Sequence, residues 1–149
     1  MANAIYWDTS ALLKLYASEP DSGDYLRLLM HQLEDVAISF LHQVDLYYTM
    51  CGKEARGEIG DGAAGRLFQL FEQHVSEGRY YSIPWGDDVV HEARQLLDAS
   101  LHAEPPNLLR PLDGLHLGAL RAAKLQAIVT ADRRMRHAVR LAAIDVIDP

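Results

Sequence analysis

The apolar positions fall into five short runs separated by longer stretches of helical spacing. Ala4–Trp7, Val36–Ser39, Tyr80–Ile83, Ala127–Thr130 and Asp145–Ile147 read as strands. They lack clean alternation, the pattern of strands buried on both faces. Between them the apolar residues recur three and four positions apart. This predicts helices over Ser10–Ala17, Gly23–Leu33, Leu41–Arg56, Gly62–Glu77, Asp87–Ser100, Pro111–Lys124 and Arg133–Leu141. Helices alternating with buried strands predict an α/β fold with a parallel sheet covered on both faces. No repeat or long linker interrupts the pattern, so residues 1–149 are expected to form one domain.

Two breaks punctuate the pattern. "CGKEARGEIGDGAAG" (51–65) is rich in glycine and joins two helices. It contains Gly52-Lys53 but lacks the glycine spacing and the following Ser or Thr of a phosphate-binding loop. "HAEPPN" (102–107) is a proline-marked loop that starts a new segment.

Composition changes the picture only at a few points. A hydrophobic fraction of 49% and a charged fraction of 23% are ordinary for a globular protein. No apolar run approaches a membrane span, and "MANAIYWD" lacks the basic start and apolar middle of a signal peptide. A cytoplasmic protein with no membrane association is expected. Cys51 is the only cysteine, which excludes an intrachain disulfide and a Cys-based zinc site. The net charge of −7 argues, on its face, against a nucleic-acid binder. That argument weakens if carboxylates are bunched around a cation.

Four acids are candidates for such a cluster. In an open parallel α/β sheet, ligands collect at the carboxyl ends of the strands. Asp8 follows the first strand and Asp132 the fourth. Asp45 lies in the first two turns of the helix after the second strand, and Asp113 in the first turn of a later helix. Each also has a structural explanation. Asp8 and Asp132 could be N-caps, and Asp113, just after Pro111, could complement a helix dipole. Asp45, flanked by Val44, Leu46 and Tyr47, either needs a partner or faces solvent. Together the four fit one chemistry. Crowded carboxylates repel one another, and a hard cation such as Mg²⁺ or Mn²⁺ removes that repulsion. Such an ion can position a phosphodiester, activate a water and stabilise a leaving oxygen. Thr9, Ser10 and Thr130 add hydroxyls suited to orienting the acids.

"YWDTSALLKLY", "SFLHQVD", "LDGLHL" and "IVTADRRM", in this order and spacing, resemble the PIN-domain family. The closest likeness is to the VapC-type toxins of bacterial toxin–antitoxin pairs, and it spans nearly the whole chain. The resemblance implies a three-layer α/β/α fold around a mostly parallel five-stranded sheet. It also implies a Mg²⁺- or Mn²⁺-dependent ribonuclease acting on single-stranded or loop RNA. The family's four acidic positions fall on Asp8, Asp45, Asp113 and Asp132. Asp8 and Asp113 are the expected metal ligands. Asp45 binds metal or orients the attacking water, and Asp132 acts through water or holds a second ion. Members commonly form homodimers and are held inactive by an antitoxin, which the resemblance places against the helices at 24–33 and 62–77. Two departures stand out: Asp45 replaces the family's usual glutamate, and Trp7 replaces an aliphatic residue.

Other residues are weighed around that centre. Lys14, Arg133, Arg134 and Arg136 either grip RNA phosphates or are ordinary solvated surface. His42 precedes Asp45 by three and His116 follows Asp113 by three, so each pair shares a helix face. Both histidines either orient carboxylates or pack between helix and sheet. Tyr47, Tyr48, Phe68 and Phe71 either stack on bases or belong to core or dimer interface. "HEAR" (91–94) lacks the second histidine of a zinc-protease helix. A phosphatase of the DxDxT type and a response-regulator receiver both lack their motifs. The remaining alternative is a PIN-like RNA- or partner-binding module with weak or no nuclease activity.

Overall fold

The structure, a computed structural model, describes residues 2–149. Strands β1 (Ala4–Trp7), β2 (Asp35–Ser39), β3 (Tyr81–Ile83), β4 (Ala127–Val129) and β5 (Asp145–Val146) form one sheet in the order β3-β2-β1-β4-β5. Every pairing is parallel, where the resemblance implies a mostly parallel sheet. Among the described residues seven helices connect them: α1 (Thr9–Leu13), α2 (Ser22–His31), α3 (His42–Ala55), α4 (Ala63–Ser76), α5 (Asp87–Leu101), α6 (Pro111–Ala122) and α7 (Arg133–Leu141).

The sheet separates two apolar cores. Tyr6 points to one face, with Leu96, Leu117, Leu120, Met135 and Val139 of α5, α6 and α7. Ile5 and Trp7 point to the other, with Leu12, Tyr25, Leu46, Met50 and Phe71 of α1 to α4. This is the three-layer α/β/α arrangement. The unusual Trp7 is fully buried and edge-on to Tyr25. Its indole N–H donates to Gln32 Oε1 at 3.0 Å, so the added bulk brings no unpaired polar group.

One helix differs from the sequence pattern. Apolar spacing predicts a helix to Ala17, but α1 ends at Leu13. The next turn tightens instead, with Leu15 N donating to Leu12 O and Tyr16 N to Leu13 O. Such i→i+3 turns preserve the apolar face while closing the helix.

The chain order places a switch point at the centre of the sheet. From β1 the chain builds outward through β2 and β3, then returns to place β4 on the other flank of β1. The crevice at the carboxyl ends of β1 and β4 is where ligands bind in such sheets. Asp8 and Asp132 follow those two strands.

Helix α6, which carries Asp113 and His116, lies unusually close to α5. A Cβ on Gly118 would stand 2.4 Å from Val89 O, and one on Gly114 would stand 2.6 Å from Leu97 Cγ. Alanine at an exposed helix site gains about 1 kcal/mol over glycine. Here overpacking, typically about 1–3 kcal/mol, opposes that gain, and the clashing atom is backbone that cannot rotate away. Gly118→Val should therefore lower unfolding stability by about 2 kcal/mol or more, read from urea denaturation.

Candidate active site

Asp8 begins the site. It caps α1, its Oδ1 accepting from Ala11 N at 3.0 Å and from Ser10 Oγ at 2.6 Å. Its Oδ2 accepts from the Thr130 hydroxyl. Ser10 Oγ in turn accepts from Ala131 N at 2.9 Å, tying the end of β1 to the end of β4. Asp8 is 3% exposed, and no Lys or Arg among the described residues pairs with it. Burial raises its pKa, outweighing the hydrogen bonds from Ser10, Thr130 and Ala11.

Asp45 enters from α3, in the opposite layer to His116 of α6. Its Oδ2 lies 2.7 Å from Thr9 Oγ1 and 2.9 Å from His116 Nε2. Behind His116, Nδ1 meets Tyr6 OH at 2.5 Å, and Tyr6 OH meets Ser39 Oγ at 2.9 Å. Leu41 N donates to that Ser39 oxygen. A consistent assignment has Ser39 donating to Tyr6, Tyr6 to Nδ1, and Nε2–H to Asp45. This file of hydrogen bonds fixes the ring and aims its N–H at the carboxylate. Burial pushes the Asp45 pKa up, but the bonds from His116 and Thr9 and the neighbouring imidazoles bring it below its ordinary value. His42 plays a different part. It is fully buried, its Nε2 donates to Trp7 O at 2.7 Å, and its Nδ1 accepts from Ser39 N at 3.0 Å. Burial, with the adjacent His116, lowers its pKa to about 3. It is a neutral core residue that holds α3 to the end of β1.

Asp113 and Asp132 close the other side. Asp113 sits in the first turn of α6, behind Pro111, and is 6% exposed. Asp132 caps α7, its Oδ1 accepting from Arg134 N at 2.8 Å and Met135 N at 3.3 Å. Arg110 bridges the two carboxylates. All four acids, with Thr9, Ser10, Arg110 and His116, line one cleft of about 420 Å³, whose rim includes Tyr48 and Leu112.

The donor set suits a hard divalent cation: oxygens predominate, and one buried carboxylate lacks a cationic partner. Yet among the described residues no three His, Cys, Asp or Glu side chains stand close enough to share one ion as placed. The acids line one cleft without forming a closed cage.

The sequence matches the PIN domain over residues 5–141. The chain belongs to the PIN-domain family.

PIN domains are generally nucleases, and they generally use divalent metals. Solved PIN proteins share the fold. VapC20 of Mycobacterium tuberculosis, a Sarcin-Ricin loop cleaving toxin, is 15% identical with a TM-score of 0.65, over 97% of this chain and 99% of that one. VapBC2 from Rickettsia felis, solved with a DNA fragment from its promoter, is 15% identical with a TM-score of 0.67, over 97% of each chain. FitAcB from Neisseria gonorrhoeae is 15% identical with a TM-score of 0.65, again over 97% of each chain. No curated protein matches the sequence. No helix among the described residues is long and apolar enough to cross a membrane.

The PIN fold sorts the remaining candidates. Thr9, Ser10 and Thr130 all touch acids of the cleft. Lys14, read from the sequence as either a phosphate grip or solvated surface, pairs with Glu19 and Asp21, each at 2.7 Å. It has no free charge to offer. Arg136 is likewise committed, to Asp148 and to Thr130 O. Arg133 and Arg134 are exposed at the start of α7 and pair with no carboxylate among the described residues. Phe71 is buried between Tyr16, Phe68 and Tyr80, so it belongs to the core. Sequence reasoning misses Arg110 and Tyr6. The i,i+3 spacing of Arg110 and Asp113 is a usable signal, as is a phenol in a buried strand, which needs a partner.

The raised Asp8 pKa has a sign for stability. Folding opposes ionisation of this group. The penalty is absent below the ordinary carboxylate range and grows as pH rises through and above it. Asp8→Asn keeps a capping oxygen and removes the charge. In EDTA it should raise the melting temperature at neutral pH, and the gain should vanish toward pH 3, as followed by circular dichroism.

Proposed function

We propose that this PIN-domain protein is a Mg²⁺- or Mn²⁺-dependent endoribonuclease that cleaves single-stranded or loop RNA, and that it is the toxin of a toxin–antitoxin pair. The supporting observation is Asp8, a carboxylate buried at the switch point of the sheet without a cationic partner among the described residues, with three further acids around the same cleft. A bound divalent ion supplies positioning of the phosphodiester and a lowered pKa for the attacking water. Asp8 and Asp113 are the residues to hold it, with Asp132 behind them or serving a second ion. Asp45 has one oxygen pinned by Thr9 and His116. Its other oxygen is left to orient water or reach the ion, despite the shorter side chain. Arg133 and Arg134 offer positive charge to the flanking phosphates.

Exposed apolar surface supports the proposed antitoxin and homodimer partners. Leu26 and Met30 of α2 and Leu70 of α4 stand 44%, 81% and 41% exposed, apolar side chains available to an antitoxin helix. Phe40 and Trp85, just past β2 and β3, lie with tilted rings 6.1 Å apart, an exposed apolar patch suited to a homodimer. The open spacing of the acids favours a second reading, a PIN-like binding module with weak or no cleavage.

Cleavage decides between them. Purified protein incubated with structured RNAs and Mg²⁺ or Mn²⁺ should cut them, and activity should fall to background in EDTA or in Asp8→Asn. Cutting that survives both controls would remove the metal assignment. Intact RNA throughout would favour the binding module. In a separate titration, RNA affinity should fall as salt rises. Replacing Arg133 and Arg134 with alanine should flatten the log–log slope by about 0.7 for each phosphate no longer neutralised.

A further inference from the structure

Arg110 is the cation the acidic cleft already contains. Its Nε lies 2.9 Å from Asp113 Oδ2, and its Nη2 lies 3.4 Å from both Asp113 Oδ1 and Asp132 Oδ2. No other Lys or Arg among the described residues pairs with the four cleft acids. The arrangement is built into the start of α6. Arg110 has extended backbone, φ −74° and ψ 152°, directly before Pro111. A residue before proline is biased toward that region, which fixes where the side chain departs. Asp113 lies three residues on, within reach of the guanidinium. The hydrogen bond and charge of Asp113 raise the Arg110 pKa. The Arg110 side chain is 61% exposed while that of Asp113 is 8% exposed. The carboxylate is buried, whereas most of the Arg110 side chain already borders solvent.

An ion seeking Asp113 therefore meets a prior occupant. Guanidinium and metal seek the same carboxylate oxygens, and the bidentate pairing of arginine with a carboxylate is the stronger kind of ion pair. It also accounts for the open spacing of the acids, since two of the four are drawn toward Arg110 instead of toward a shared centre. We propose that Arg110 is a built-in competitor for the divalent ion: it holds Asp113 and Asp132 in the metal-free protein and must swing out for the ion to seat. This rests on the metal-dependent reading above. The consequence is a metal affinity set below what the carboxylates alone would give.

The test needs no RNA and no turnover. Mn²⁺ is titrated calorimetrically into wild type, Arg110→Gln and Arg110→Lys at fixed ionic strength, with folding checked by circular dichroism. Arg110→Gln should bind Mn²⁺ about tenfold tighter or more, equivalent to about 1.4 kcal/mol. Arg110→Lys, which keeps a charge but cannot pair with Asp113 in the bidentate manner of a guanidinium, should bind tighter than wild type by a smaller factor. It carries the test if the glutamine variant does not fold. Equal or weaker binding by the folded variants would overturn the competition while leaving the metal reading intact. Binding by none of the three proteins would overturn both.

Discussion

The parallel pairing of β1 with β4 is the contact on which the rest of the site depends. Tyr6 registers with Ile128 and Trp7 with Val129, and Asp8 N extends the ladder to Val129 O at 3.1 Å. This joins residues more than a hundred positions apart in the chain. It brings Thr130 against Asp8, Ala131 against Ser10, and Asp132 to the same edge. Without that pairing, Asp8 would be a helix cap at the end of a strand, and the cleft would have one wall.

The four acids reach the cleft by four different electrostatic solutions. Asp8 is bracketed by hydroxyls and a helix N–H and meets no counter-charge among the described residues. Asp45 shares an oxygen between a hydroxyl and an imidazole. Asp113 is met by a guanidinium, and Asp132 by the free N–H groups opening α7. These differences matter because a buried carboxylate is tolerated only when something favours its charge. The least compensated of them, Asp8, is the one most in need of an external cation.

Much of the fold was legible because its signals are local. Strand runs and helical spacing located each element to within a few residues, and the order of elements implied a parallel sheet. The acids were legible because a carboxylate at a strand end or in a first helical turn marks the functional edge of such a sheet. What escaped depended on geometry that spacing does not encode. Lys14 sits six residues after Asp8, but the chain turns after Leu13 and presents Glu19 and Asp21 to it. Arg136 is claimed by Asp148 near the end of the chain. The Tyr6–His116–Asp45 file needs a strand and two helices from opposite layers, and no single stretch of sequence contains it.

That file has a consequence for how the molecule comes into being. Asp45 and Thr9 belong to the layer of α1 to α4, and His116 and Asp113 to the layer of α5 to α7. The central strand, β1, precedes the other strands in the chain, whereas β4 and the Asp132 cap come after six of the seven helices among the described residues. During synthesis the early half can collect its own apolar core while its acids have no facing wall. The cleft is completed only when β4 pairs with β1. A chain that stops short of β4 thus carries an incomplete cleft, and the topology itself delays assembly of the site until that strand is present.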